Sequence, residues 1–580
     1  MKNRSIILDL LKGVAIIAVI LYHAQLFDYG YLGVDIFLVI AGYLTTQSLQ
    51  RMVSEERYGF FRFMGKRLVR LWPLLLLICI ACLAMGYCYF LPANLKNCAE
   101  EVGGAVLFLS NFVEYITSTD YWDSANVFKP LMHTWYVGLL FQFYVLYALA
   151  TTILLKAFKS SEQRLAVLHY SLVVVAMLSL ALYLLPLTSE TWDFYMLPSR
   201  LFEFSVGGLL VRSAYGRTQN HYRLPLWLVL SLLAIILLMT INAPIEKPLR
   251  LFIVVTLTCV VIFLFDGRNE LEFLNHSKVV KVIAFFGIAS YSLYLSHQPL
   301  LAFYRYAGWN VPFAVVVLCC FVLGIVVYYL IEKPLAKLCR KQMKSIIITS
   351  AISSLLLLLF CYNLYAKQGV VRDIPTLDIY VNDPSSYVIK DYCDRNYSYN
   401  HDFPKNTRKN ILVIGDSFGR DWINVLREGG IDKDMNISYI SGSDSVSPKR
   451  IKAADYIFIA YSSNLDKITP YFPLIIVQKK FWIVGTKNFG KTSSFYLQLP
   501  SKDYKRMVAL PRNPERSLNI KWKQLYGKRY IDMMGLIQNS DGKVPVFTPD
   551  GKFFSFDGSH LSRGGAIYYA QHLPLREYFQ

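Results

Sequence analysis

Ser417, His560 and Asp557 are the residues whose types and spacing most directly suggest chemistry. Lys409-Asn410-Ile411-Leu412-Val413-Ile414 reads as a buried strand, and Gly415-Asp416-Ser417 as the tight turn it feeds. Open α/β sheets place their sites at that carboxyl end of a strand. A serine hydroxyl is a weak nucleophile until a base takes its proton, and a carboxylate orients the base. Asp557-Gly558-Ser559-His560-Leu561-Ser562 offers both on one loop, about 140 residues beyond the serine. Acyl chemistry also needs donors for the oxyanion it creates. Besides the Ser417 N–H, Gly442 after a second apolar run and Asn464 after a third are candidates, with Asn488 as a rival.

A second group lies near the N-terminus. Asp9, Lys12 and His23 share one stripe of a helix, with His23 about 24 Å along the axis from its inner end. Ionisable groups inside a membrane span are costly and default to function. On spacing alone, a buried base above an inner polar cluster and a snorkelling lysine with an interfacial histidine are equally good readings.

These two groups need very different surroundings, and the composition supplies both. Of 580 residues, 54% are hydrophobic, 15% aromatic and only 17% charged, and the mean hydropathy is +0.36. Soluble domains run near a quarter charged, so an ordinary soluble protein, a disordered chain and a single small domain are excluded. The net charge of +20 fits cytoplasmic loops of a membrane protein better than nucleic-acid binding. Apolar runs at 6–27, 31–49, 71–91, 133–155, 165–186, 200–215, 225–242, 249–265, 283–304, 312–331 and 345–366 are each read as spans. The shorter run at 104–117, with Glu114, reads as a re-entrant or interfacial helix. The predicted fold class is a membrane all-α bundle of about eleven transmembrane helices followed by an extracytoplasmic α/β domain. Residues 1–340 form the membrane domain, 341–368 a further helix and linker, 369–408 a linker or irregular extension, and 409–580 the α/β domain.

Loop charge sets the orientation. Lys2 and Arg4, the basic loop at 50–70, Lys156, Lys159 and Arg164, Arg212, Arg217 and Arg223, and Lys333 to Lys344 all fall on one side if eleven spans alternate. The positive-inside rule makes that side cytoplasmic and leaves residues 367–580 outside. The first run lacks a small-residue cleavage site and reads as a retained span. Most of the ten cysteines lie in apolar runs. Cys98 and Cys393 lie in polar stretches, where a disulfide between them is an open alternative. No CxxC pair occurs and no metal site is read.

Seven short motifs occur in order across residues 1–340: Gly33-Val34-Asp35-Ile36-Phe37 with Ala41-Gly42-Tyr43; Lys66-Arg67-Leu68-Val69-Arg70-Leu71-Trp72-Pro73; Leu131-Met132-His133-Thr134-Trp135; Gln142-Phe143-Tyr144; Pro198-Ser199-Arg200-Leu201-Phe202-Glu203; Ser290 to His297; and Tyr329 to Pro334. With His23 before them, this succession resembles the membrane acyltransferase type 3 family. The resemblance implies acyl transfer, usually of acetyl, from cytoplasmic acetyl-CoA to an acceptor outside. It makes His23 the essential histidine, and it places Arg67, Arg70 and Lys12 at the coenzyme A phosphates, which guanidinium binds bidentately. Asp9, Asp35, His133, Arg200 and Glu203 supply the supporting polar core. Two departures stand out. Lys12 replaces the usual Arg, and Leu140 and Phe141 replace an acidic pair.

Ser417 with Asp557 and His560 looks like the SGNH hydrolase fold, which commonly follows the acyltransferase in this family. The combined expectation is an O-acyltransferase of the bacterial inner membrane. Its partners are acetyl-CoA as donor substrate, the lipid bilayer and a cell-surface glycan, first O-antigen or another lipopolysaccharide glycan, then peptidoglycan. No permanently bound cofactor and no nucleic acid are expected. An acyl transporter with an outer esterase domain is the alternative.

Overall fold

The structure, a computed structural model, describes residues 5–580 except 118–127, 159, 212–223, 243, 266–276, 308–310, 376–378, 383–388, 443–445, 478–479 and 491–505. Lys2, Arg4, Lys159, Arg212, Arg217, Arg223 and the end of the expected span 200–215 lie outside the described residues. The chain divides into two compact units: Met1–Cys88 with Asn94–Tyr365, and Tyr89–Ala93 with Ala366–Gln580.

The described residues of the first unit form helices joined by turns and loops. Its helices are α1 (Ile6–His23), α2 (Leu32–Ser54), α3 (Phe60–Tyr89), α4 (Pro92–Val106), α5 (Ser110–Thr117), α6 (Trp135–Ala157), α7 (Ser161–Leu184), α8 (Glu190–Tyr195), α9 (Leu197–Leu209), α10 (Leu224–Thr240), α11 (Lys247–Phe265), α12 (Lys278–Ile288), α13 (Ser290–Ala307), α14 (Phe313–Val327), α15 (Lys333–Lys341) and α16 (Met343–Ala366). Among the described residues, eight helical stretches are long and apolar enough to cross a membrane, or nine when α12 and α13 count as one span bent by 73°. The eleven read from sequence included α9 and α10. At 13 residues, α9 is about 20 Å long, short of the ~30 Å hydrocarbon layer. The apolar stretch of α10, Trp227–Thr240, is short for the same reason.

Two other expectations change. Helix α3 starts at Phe60, eleven residues before the expected span, so Arg67 and Arg70 are helical residues and not loop residues. Phe63 and Met64 bury that first turn despite the basic residues around them. The run at 104–117 is split between the end of α4 and α5, and Glu114 is fully buried against the Lys129 ammonium at 3.3 Å. Helices α1 and α12 cross at backbone contact: a Cβ at Gly287 would lie 1.8 Å from the Asp9 carbonyl oxygen. Small residues permit such close crossings where lipid gives no hydrophobic drive to helix pairing.

The second unit is α/β. Strands β1 (Asn410–Gly415), β2 (Asn436–Ser441), β3 (Tyr456–Ala460), β4 (Phe481–Val484) and β6 (Tyr530–Ile531) form one parallel sheet in the order β2-β1-β3-β4-β6. Strands β5 (Val508–Ala509) and β7 (Val544–Pro545) form a separate antiparallel pair. Ile411, Val413 and Phe458 join the core on one face of the large sheet, and Leu412, Ile414, Ile457 and Ile459 the core on the other. A parallel sheet covered on both faces explains why β1 reads as a continuous apolar run. The described residues of 389–408 pack against the sheet of this unit as an extension. Its helix α17 (Ile389–Asp394) buries Tyr392 and Cys393 beside α18 (Ser417–Glu428), and the Asn396 amide donates to the Arg420 carbonyl at 2.9 Å. Cys98 and Cys393 are both buried free thiols. Burial, followed by the Asp421 charge, pushes the Cys393 thiol well above its ordinary value, which makes it inert.

Candidate active sites in two units

The chain reverses its direction of winding at β1, with β2 on one side and β3 on the other, and a doubly wound sheet carries its site at such a switch point. Gly415 is required there, because a Cβ would lie 1.8 Å from the Ala460 carbonyl oxygen of β3. Asp416 caps α18, its Oδ1 accepting from the Phe418 N–H at 2.9 Å and its Oδ2 from the Ser462 N–H and hydroxyl at 2.8 and 2.6 Å. Ser417 is thereby fixed as the first residue of the helix.

The Ser417 hydroxyl donates to His560 Nε2 at 2.8 Å, and His560 Nδ1–H donates to Asp557 Oδ2 at 2.6 Å. Asp557 Oδ1 accepts from the backbone N–H groups of Ser559 and His560, each at 2.8 Å. The carboxylate therefore fixes both the loop and the tautomer that leaves Nε2 facing the serine. Desolvation works upward on Asp557, but the His560 hydrogen bond and charge, with the two backbone donors, hold it down at about 2. Burial pushes the His560 imidazole down. The hydrogen bond and charge of Asp557, with the charge of Asp421, outweigh this and raise it above the ordinary histidine value, against an opposing Lys487.

Asp421 and Lys487 carry no motif, and reading the sequence missed them. Asp421 lies one turn along α18 from Ser417. Its Oδ2 accepts from the Leu561 N–H at 3.0 Å and from the Lys487 ammonium at 2.9 Å, with both side chains almost wholly buried. The ammonium also lies 3.2 Å from the centre of the Phe418 ring. One ion pair thus ties the helix of the serine, the loop of the histidine and the segment after β4.

The oxyanion candidates fall differently. The Gly442 N–H donates to the Gly415 carbonyl at 2.7 Å and so prolongs the β1–β2 ladder. Asn464 is exposed. Asn488 is buried, and its Oδ1 accepts from the Gly490 and Arg512 N–H groups at 3.2 and 3.1 Å, which turns Nδ2 the other way as a donor. The adjacent Phe489 N–H donates to the Gly558 carbonyl at 2.8 Å, placing this segment against the triad loop.

In the helical unit, Lys12, Arg67 and Arg70 line one cavity of about 130 Å³, with Leu140, Tyr294 and Glu332 also in its wall. The Arg67 guanidinium lies over the Phe63 and Tyr144 rings at 4.9 and 5.0 Å, and its Nε and Nη2 have no hydrogen-bond partner among the described residues. The cavity therefore suits an anion with planar oxygen acceptors. Asp9 sits beside it, 3.8 Å from the Lys12 ammonium. Leu140 gives the cavity an apolar wall in place of one of the acidic pair noted above, while Phe141 stacks on Phe108 at 4.1 Å. Glu332 supplies a carboxylate from another helix and accepts from the Ser292 hydroxyl. His23 is half-buried at the end of α1 and packs against His297. Asp35, Arg200 and Glu203 form a separate buried ion triad, with Arg200 Nη1 at 2.9 and 3.0 Å from the two carboxylates. None of the three lines the cavity.

The family model of the acyltransferase domain matches residues 6–333, more than half of the chain. The chain belongs to that family, and its several long apolar helices are those of a multi-pass membrane protein. It is similar to the O-acetyltransferase OatA of Staphylococcus aureus, 33% identical over 179 residues, which are 30% of this chain and 28% of that protein. It is also similar to the peptidoglycan O-acetyltransferase OatA of Listeria monocytogenes, 26% identical over 204 residues, 34% of this chain and 32% of that protein. The alignment thus spans about a third of each relative's length. No solved structure matches.

Proposed function

We propose that the protein moves an acetyl group from cytoplasmic acetyl-CoA to a hydroxyl of a cell-surface polysaccharide outside the inner membrane. Coenzyme A phosphates occupy the cavity of Lys12, Arg67 and Arg70. His23 takes the acetyl from the thioester. Ser417, in a domain we read as SGNH-like, receives it as an ester, with His560 as base and Asp557 as its orienter. The hydrogen-bonded chain Ser417–His560–Asp557, on a chain that is also a membrane acyltransferase, carries this reading. A base-activated serine holds an acyl group covalently, and a sugar hydroxyl then removes it by the same route in reverse. Asn488 Nδ2 is our oxyanion donor, in place of Asn464 and Gly442.

The acceptor we place first is O-antigen or another lipopolysaccharide glycan. Peptidoglycan is the second reading, favoured by the name of the Listeria relative. Mass spectrometry of both glycans from cells with and without the gene decides between them. In cells expressing Ser417→Ala, acetylation falls by about 100-fold or more. Wild-type acetylation in that variant would remove the serine from the path.

A further inference from the structure

Three imidazoles meet in the helical unit. The His297 ring, inside α13, lies 5.1 Å from the His23 ring and 5.2 Å from the His133 ring, centre to centre. His133 and His297 are completely buried. His297 Nδ1 faces the Leu293 carbonyl at 3.1 Å. A carbonyl only accepts, so Nδ1 carries the hydrogen and Nε2 presents a bare lone pair. That Nε2 has no hydrogen-bond partner among the described residues. A buried polar atom left unpaired costs about 1–3 kcal/mol and calls for a reason.

The surroundings supply one. Tyr294, one turn before His297, lines the cavity that holds Lys12, Arg67 and Arg70. Its ring lies 5.1 Å from His133 and 5.8 Å from His297, and its hydroxyl donates to the His133 carbonyl. The bare nitrogen is therefore one ring beyond the wall of the basic cavity. Among the described residues, the titratable or charged groups around the three rings are Tyr22 of α1, its ring 5.3 Å from His23, Tyr294 and Arg305 of α13, the latter donating to the His23 carbonyl, and Cys320 of α14, whose thiol faces the His297 carbonyl at 3.8 Å. None of these contacts is a carboxylate, so among the described residues the neutral His297 imidazole is the base in contact with the His23 ring.

We infer that His297 is the proton acceptor for His23 during acyl capture; this rests on the reading of His23 as the acyl-accepting imidazole. The unprotonated ring nitrogen of His23 attacks the thioester carbonyl carbon. A C–N bond forms, the C–S bond breaks, and the sulfur departs with the electron pair. The acylated ring still carries a proton on its other nitrogen and is cationic. His297 Nε2 takes that proton, leaving a neutral N-acylimidazole, and passes it to the thiolate, which leaves as a thiol. Ring contact at 5.1 Å is a resting distance, and catalytic hydrogen bonds commonly tighten when substrate binds.

The test uses the full-length protein in membrane vesicles, acetyl-CoA as probe and free-thiol release as readout. His297→Gln keeps size and hydrogen bonding but cannot take a proton. Thiol release in it falls by about 100-fold or more, the KM for acetyl-CoA stays near wild type, and the residual rate climbs with pH as hydroxide takes over. Wild type levels off instead, and its rate slows in deuterated water, a measurement independent of how the variant folds. A wild-type rate or a wild-type pH profile in His297→Gln, or a wild-type enzyme indifferent to deuterium, overturns the inference. A wild type that releases no thiol, or a His23→Gln variant as fast as wild type, instead overturns the reading of His23.

Discussion

At the scale of single residues, the pair Asp421–Lys487 makes opposite predictions for its two members. His560 must be neutral to accept the serine proton, so activity falls as pH drops through its raised pKa, above the ordinary histidine value of about 6.5. Asp421 works upward on that pKa and Lys487 downward. Asp421→Asn therefore moves the acid limb of ester turnover to lower pH, and Lys487→Met moves it to higher pH. The profile is read with a chromogenic acetyl ester on the purified full chain. A shift of both limbs in the same direction would leave the pair as packing alone. Each single variant also strands a buried charge, at a cost on the order of 3–5 kcal/mol, so thermal melting accompanies each profile. Neither residue was visible in the sequence, because an ion pair joining a helix to a segment beyond β4 leaves no periodic trace. The hydrogen-bonded arrangement of Ser417, His560 and Asp557 was visible, because such a chain demands particular residue types at a strand end and on a short loop.

At the scale of elements, legibility followed the match between local pattern and local structure. Strand β1 was readable from its apolar run and the Gly-Asp-Ser turn after it. The start of α3 was not, because its basic residues mask the apolar anchors Phe63 and Met64. The bend between α12 and α13 also escaped, since Ala289 interrupts the helix without interrupting the apolar run. Where β1 meets β3, chain identity is dictated by space alone. Gly415→Ala forces a Cβ towards the Ala460 carbonyl, a backbone atom that cannot swing aside. The β1–β3 ladder must part or shift, which destabilises the α/β unit by on the order of 3 kcal/mol. Calorimetry of the full chain should show the α/β unit's transition fall while the helical unit's transition stays. Unchanged melting would mean that the two strands separate freely at that end.

At the scale of the whole molecule, the chemistry depends on which compartment each unit faces. Nine crossings, like eleven, put the two ends of the helical unit on opposite sides, whereas eight put them on the same side. The excess of 60 Lys and Arg over 40 Asp and Glu matters here through where it falls in the loops and not through its total. Arg51, at the end of α2, is 54% exposed, and Lys449 of the α/β unit is 81% exposed. In a background with the exposed Cys88 and Cys319 changed to Ser, Lys449→Cys should react with a membrane-impermeant maleimide in intact spheroplasts. Arg51→Cys should react only after permeabilisation. Labelling of both from one side would place the end of α2 and the α/β unit that carries Ser417 in a single compartment. An acyl-imidazole would then gain nothing by being formed within the bilayer, since coenzyme A could meet the serine directly. Labelling from opposite sides would support the proposed crossing of an acyl group through the helical unit without its carrier, with His23 and His297 as the stations we infer for it.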